Sequence, residues 1–330
     1  MKAPHFWSGG LDPRAREAAP LTRVLLTPVA ALYGAIVARK LAHANPAKVG
    51  IPVICVGNLT VGGSGKTPIV AAIRQHLQAS GLRAASLSRG YKGRLKGPLR
   101  VDPGVHTAAD VGDEPLMLAS HGESWIGADR VAAARAMEAA GAEIIIMDDG
   151  HQNPSLHRNL SLVVVDAGDP FGNGHVFPKG PLREPVKAGL GRADAVILAG
   201  DGPDPDGRWP CPVVRARLEP VAPPPDGPLV AFAGIGRPQK VFDSLSAAGA
   251  TLVDTVPYPD HHPYSRGDLK WLEALAAERD ARLITTEKDA ARLPADVRDP
   301  VAVWPVRAVF EPADALDGWL QAVVEQRSHG

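Results

Sequence analysis

Gly57-Asn58-Leu59-Thr60-Val61-Gly62-Gly63-Ser64-Gly65-Lys66-Thr67 brings together the residue types of a triphosphate cradle, in the order that chemistry needs them. Glycines let backbone N–H groups converge on phosphate oxygens. A lysine then reaches the β- and γ-phosphates, and a threonine hydroxyl at the start of a helix can hold Mg²⁺. The loop pattern asks for glycine at the fifth residue before Gly65, where this chain has Thr60, and Gly62 and Gly63 supply flexibility inside the loop instead. The alternative is a glycine-rich turn that holds no ligand.

Asp148 and Asp149 follow the apolar run Glu143 to Met147. A phosphate-loop enzyme keeps its metal-coordinating aspartate at such a strand end. On an extended backbone the two carboxylates point to opposite sides, one ordering Mg²⁺ or its waters and the other orienting a neighbour. Asp113 and Glu114 lie between Gly112 and Pro115 at the start of a helical pattern, where spacing alone favours helix capping. Arg89, Arg130 and the Arg183-Glu184 pair adjoin strand-like segments, and guanidinium groups there suit forked binding of phosphate. Taken singly, each arginine reads more readily as a solvated surface residue. In the second half, Asp260-His261-His262 closely follows a strand, and an acid beside an imidazole can tune it for proton work. Lys288-Asp289 lacks the intervening residue of a guanine-reading Lys-x-Asp motif, which counts against a GTPase.

These groups need a scaffold that carries strand ends to one place. Ala84–Ser88, Glu143–Met147, Leu160–Val165 and Ala195–Leu198 are short apolar runs separated by helical patterns such as Gly127–Ala140. Continuous apolar strands between helices predict a mostly parallel sheet covered on both faces, with ligands at the carboxyl ends of its strands. Residues 200–227 shift to Pro, Asp and Gly and read as a linker around the strand Val213–Leu218. A second set of strands follows at Leu229–Ala233, Thr251–Val256, Ala281–Thr285 and Val301–Trp304, with helices at Gln239–Ala247, Arg266–Glu278 and Pro312–Gln326. The expected class is α/β with two α/β sandwich domains, the first a P-loop NTPase-like mostly parallel sheet and the second smaller. Residues 45–212 form the first, and residues 213–330 form a linker strand and the second, with return of the last strand and helix to the first as an alternative.

A chain of 330 residues is long enough for two cores. Its 36 basic and 36 acidic residues cancel, so no chain-wide attraction to nucleic acid is indicated. The only cysteines, Cys55 and Cys211, offer neither a disulfide framework nor metal-ligand spacing. Val24–Ala38 is apolar, with Arg23 before it and Arg39-Lys40 after it. It falls short of the about 20 apolar residues of a membrane span. A helix lying in a membrane interface fits residues 1–44, and so does a hydrophobic helix packed on the domain.

Taken together, Val56–Pro68, Ser88-Arg89-Gly90-Tyr91, Val111–Pro115, Asp148-Asp149-Gly150, Pro181–Glu184, Asp260-His261-His262 and Thr286–Asp289 resemble the tetraacyldisaccharide 4′-kinase family of lipid A assembly. The resemblance implies transfer of the ATP γ-phosphate to the 4′-hydroxyl of a tetraacylated glucosamine disaccharide 1-phosphate. It implies a peripheral or monotopic site of action on the cytoplasmic face of the bacterial inner membrane, without an obligate protein partner. It makes Asp113 the base, paired with His261. Thr60, Gly62, Gly63, Ser64, Gly65, Lys66 and Thr67 would hold ATP, and Thr67, Asp148 and Asp149 would hold Mg²⁺. Arg89, Tyr91, Glu114, Arg130, Arg183 and Glu184 would meet the substrate and its phosphates. It also implies a two-stranded connection between domains, with Val213–Leu218 and Val306–Phe310 as candidates. One departure stands out, Asn153 where family members often carry histidine. The second reading is a P-loop ATPase or GTPase serving as an assembly or metal-delivery factor, and the third is a nucleotide-binding scaffold without chemistry.

Overall fold

The computed structural model describes residues 4–12, 14–63, 65–202, 209–294 and 300–327. After two short 3-10 turns come α1 (Pro20–Leu25) and α2 (Thr27–Ala42). The chain then alternates through β1 (Val53–Gly57), α3 (Lys66–Ala79), β2 (Ala84–Ser88), β3 (Leu99–Arg100), α4 (Ala108–Val111), α5 (Asp113–Ser120), β4 (Ser124–Ile126) and α6 (Arg130–Ala139). Next are β5 (Ile144–Asp148), β6 (Leu160–Asp166), α7 (Val186–Leu190), β7 (Ala195–Ala199) and β8 (Val213–Pro220). The second set comprises β9 (Pro228–Ala233), α8 (Pro238–Ala247), β10 (Thr251–Pro257), α9 (Arg266–Glu278), β11 (Arg282–Thr286), α10 (Glu287–Ala290) and β12 (Ala302–Trp304). β13 (Val306–Glu311) and α11 (Asp317–Arg327) close the chain.

The larger sheet has nine strands in the order β13-β8-β7-β6-β1-β5-β2-β4-β3, parallel except at its two edges. The smaller sheet, β10-β9-β11-β12, is wholly parallel. This is the α/β class expected from the sequence. Parallel strands covered on both faces read as unbroken apolar runs, and all five residues of β1, β2, β5 and β7 are buried. α3 lays Ile69, Val70, Ile73 and Leu77 on one face of this sheet, at helical spacing. Burying each such side chain contributes roughly 1.5–3 kcal/mol. α6 begins at Arg130 rather than Gly127 because Asp129 caps it, accepting from the N–H groups of Val131 and Ala132.

β8 pairs with β7 as well as with β13, so the expected boundary at residue 213 falls inside the larger sheet. Leu316, just before α11, and Leu320 and Val323 on it join the core cluster that holds the α3 side chains. The chain passes between the sheets twice, after β8 and before β13. The two passages are tied by the Val221 N–H bond to the Pro305 carbonyl.

At the N-terminus, α1 and α2 meet at a 66° bend, and no single helix among the described residues is long and apolar enough to cross a membrane. Ala30, Tyr33 and Gly34 rest against the rest of the fold, the last two at Phe177 and Val176. Leu21, Val24, Leu25, Val29, Leu32 and Ile36 are exposed, at 51–80% of their full surface.

Candidate active site

β1 delivers the phosphate loop. At its end the backbone packs so tightly on the segment after β5 that a Cβ on Gly57 would stand 2.5 Å from that of His151. Thr60 forms a bridge with Leu182, Val61 N–H bonds the Pro181 carbonyl, and Arg183 N–H bonds the Leu59 carbonyl. This short ladder explains the Thr60 departure, since a bridged position needs no glycine. The loop turns instead at Gly62 (φ 118°) and Gly65 (φ 76°). Gly63 keeps ordinary backbone angles and faces the other sheet, where a Cβ on Gly236 would lie 3.4 Å from its nitrogen. Ser64 lies outside the described residues. α3 starts at Lys66, so its first N–H groups and the positive end of its dipole face the loop. Thr67 is buried in that first turn.

β5 runs beside β1 and ends in Asp148. Asp148 is buried, and neither carboxylate oxygen has a hydrogen-bond partner. Burial, then the charge of Glu114, push its carboxyl up to about 7, with Lys66 pulling the other way. Asp149 does not continue the strand. Its φ of 55° turns the chain into the left-handed region, so the two carboxylates do not take the opposed placement expected of an extended pair. Asp149 accepts two bonds from Arg183 Nη1 (2.8 and 2.9 Å) and stands 3.4 Å from Lys66 Nζ. Burial alone would raise it, but Lys66 and then Arg183 hold its carboxyl well below the usual range.

The orphaned Asp148 carboxylate, with Asp149 and Thr67, suits a divalent cation. No three His, Cys, Asp or Glu side chains form a metal-binding group among the described residues. Mg²⁺ needs no such cage, because it is bound through one or two carboxylates, waters and substrate phosphates.

The second wall comes from the smaller sheet. Asp113 is the first residue of α5 and does not fold back as a cap. Its Oδ1 accepts the Glu114 N–H, and its Oδ2 lies 2.7 Å from His261 Nδ1. Burial works against the Asp113 charge, yet the His261 hydrogen bond and the charges of Lys288, His261 and Arg292 hold its carboxyl down at about 2. His261 follows β10, takes a φ of 58°, and has the Tyr91 ring edge-on at 5.8 Å. Its neighbour His262 points elsewhere, bonding Asp268 (3.2 Å) and stacking on Tyr258 (4.5 Å). Glu114 bonds Lys288 of α10 at 2.9 Å, and His121 bonds Glu287 at 2.7 Å. Lys288 acts electrostatically on both Asp113 and Asp148, so the dyad and the phosphate loop share one cleft.

The arginines divide. Arg183 bonds Asp149. Arg130 is buried, its Nη1 donating to the Gly127 carbonyl, with Asp148 and Asp149 acting on its charge. Arg89 is exposed at the end of β2, near enough to repel Arg130. Glu184 does not present itself to a substrate. It is buried, accepting from Arg192 (2.7 Å) and Gln152 (2.9 Å), and so braces the segment that carries Arg183. Gln152 also donates to the Asn58 carbonyl. Asn153 accepts from the N–H and hydroxyl of Ser155 in a local turn, and His151 is buried with Nε2 donating to the Gly189 carbonyl.

Sequence reasoning missed Gln152, Lys288 and Arg292 as site residues. Gln152 sits three residues beyond Asp149, and Lys288 and Arg292 are four apart, a spacing that puts both on one side of a helical turn.

A family profile described as tetraacyldisaccharide-1-P 4'-kinase matches residues 22–325. A tetraacyldisaccharide 4'-kinase of Hyphomonas neptunium is 62% identical over 99% of this chain and 99% of its own length. One of Maricaulis maris is 53% identical over 98% and 97%. A solved structure of LpxK from Aquifex aeolicus in complex with ATP superposes with a TM-score of 0.76 at 28% identity, covering 92% of this chain and 99% of that one. A match across both sheets, at this identity, leaves the phosphate loop and the facing Asp113–His261 wall in a single lineage: the chain belongs to the tetraacyldisaccharide-1-P 4'-kinase family.

Proposed function

We propose that this chain transfers the γ-phosphoryl group of ATP to the 4′-hydroxyl of a tetraacyldisaccharide 1-phosphate, with Asp113 taking the hydroxyl proton. The observation that carries this reading is the 2.7 Å contact between Asp113 Oδ2 and His261 Nδ1, which joins a base on the larger sheet to an imidazole on the smaller one. His261 orients the carboxylate so that its accepting oxygen meets the acceptor hydroxyl. Lys66 and the N-terminus of α3 hold the phosphates, and Arg183 and Arg130 face the charge that spreads over the transferred group. Asp148, Asp149 and Thr67 would hold Mg²⁺, which neutralises phosphate charge when bound. Closure of the smaller sheet on the larger around both substrates would exclude water.

The exposed apolar face of α1 and α2, flanked by Arg23, Arg39 and Lys40, supports seating on the cytoplasmic surface of the inner membrane, where a lipid acceptor is found. The test of the reaction is a radiolabelled ATP assay with and without purified disaccharide 1-phosphate. Label is expected in the lipid, at the 4′ position, only when the acceptor is present. Equal phosphate release with and without acceptor would replace the kinase by an ATPase.

A further inference from the structure

Arg292 lies just beyond α10 and is buried at 5% side-chain exposure. Its guanidinium joins several parts of the site. Nη1 donates to the His262 carbonyl (3.1 Å), and Nη2 donates to the Gly234 carbonyl (2.9 Å). The same Gly234 carbonyl accepts the His261 N–H (3.0 Å). The backbone on both sides of the His261 ring is therefore tied to one planar group. Nε donates to the Lys288 carbonyl (3.2 Å) and stands 3.4 Å from Asp113 Oδ2, the oxygen that meets His261.

The guanidinium is itself fixed. Nη2 bonds Asp289 Oδ1 at 2.8 Å, and Asp289, fully buried, also accepts from the Gly234 N–H, the Tyr264 hydroxyl and the Thr286 hydroxyl. The Tyr264 ring lies 5.6 Å from the guanidinium carbon. A planar fork with five donors suits this task better than an ammonium group, which offers a point charge without fixed directions.

We infer that Arg292 is a positioning residue for phosphoryl transfer: it sets the Asp113–His261 contact by anchoring the His261 backbone and placing a fixed positive charge beside Asp113. It acts through those two residues, so the inference rests on Asp113 being the base. His261 and Asp260 from the loop after β10, Lys288 from α10 and Glu114 on α5 are the other charged groups around this contact. None of them holds the His261 backbone. A misplacement of about 1 Å in a catalytic group can cost on the order of 10²-fold in rate, and the left-handed turn at His261 gives the ring a position that depends on its anchor.

The test uses the full chain carrying Arg292→Gln and Arg292→Lys, with Asp113→Asn alongside. Arg292→Gln is expected to lower kcat by about 10- to 100-fold while the KM values for ATP and disaccharide stay within about threefold. The low-field proton signal of His261 Nδ1–H, identified by its loss in His261→Asn, should move or broaden. Arg292→Lys keeps the charge and loses the fork, so it should recover only part of kcat. If Arg292→Gln fails to fold, Arg292→Lys decides: a kcat within about twofold of the parent, with the proton signal unmoved, overturns the inference. Loss of thermal stability with an unchanged kcat per folded molecule also overturns it, because that is a merely structural role. Full activity in Asp113→Asn would instead overturn the base reading on which it rests.

Discussion

Replacing Asp113 with Asn separates chemistry from local structure at a single atom. The amide carbonyl of asparagine can still accept the Glu114 N–H that Asp113 Oδ1 accepts. What it lacks is the charge and the basic oxygen at 2.7 Å from His261 Nδ1. Two magnitudes follow. The carboxyl is held at about 2 against an ordinary 3.8, so its ionised form contributes roughly 2 kcal/mol to the fold at neutral pH. For a depressed acid that contribution is present above the unfolded pKa and is lost as pH falls from about 4 to about 2. The variant should therefore melt a few degrees lower and remain folded at 25 °C. A positioned general base is worth about 10²–10⁴-fold, which is roughly 3–5 kcal/mol on the barrier. Single-turnover transfer from radiolabelled ATP to the disaccharide, with enzyme in excess, should slow by at least about 10²-fold. ATP affinity should stay within about threefold, because Lys66 and its loop are untouched. Transfer near the parent rate in a folded, ATP-binding variant would refute the assignment.

Asp148→Asn should separate stability from activity in the opposite sense. An unpartnered buried carboxylate with its pKa pushed up to about 7 costs the fold stability progressively as pH rises from about 4 to about 7, so in metal-free buffer at pH 8 the variant should be more stable by roughly 1–4 kcal/mol, by denaturant titration, while turnover is lost. The difference should narrow as pH falls below about 7 and vanish only below about 4, where the carboxyl is protonated in the folded and unfolded chain alike. His151 gives a second pH window. Burial holds its imidazole down at about 4, so its contribution is full above about 6.5 and is lost as pH falls toward 4, by roughly 3 kcal/mol. His151→Asn should flatten the slope of Tm against pH across that interval, and an unchanged slope would count against it. Deleting residues before Asn45 should release the chain from anionic liposomes in a flotation assay while leaving turnover on detergent-dispersed acceptor. Equal flotation of both forms would place the membrane contact elsewhere.

Much of the scaffold was legible because buried parallel strands announce themselves. Ile144–Met147 and Leu162–Val165 are unbroken apolar runs, and a run of that kind carries Asp148 to a strand end whatever surrounds it. The loop from Gly57 to Thr67 was legible for a similar reason, since phosphate binding demands particular residue types at particular spacing. Less legible was whatever depended on distant pairing. Nothing local in Val213–Pro220 says that it joins the larger sheet, because that is settled by β7 on one side and β13 on the other. Glu184 looked like a substrate contact beside Arg183 until Arg192 and Gln152 were seen to claim it. Arg292 was invisible as a site residue for the same reason. Its partners come from residues 113, 234, 262, 288 and 289, and only the fold gathers them.

The left-handed backbone at His261 and at Asp149 sets a hazard for anyone engineering this enzyme toward heat tolerance. These two residues stand on opposite walls of the cleft, at φ 58° and φ 55°. For an L-residue with a Cβ that region costs roughly 1–2 kcal/mol, whereas glycine enters it freely. At each position glycine would relieve that backbone cost while deleting a functional side chain, at Asp149 one held by Lys66 and Arg183. Screens on this scaffold should therefore be scored by turnover after heating, because the substitutions its backbone prefers at these sites are ones its chemistry cannot use.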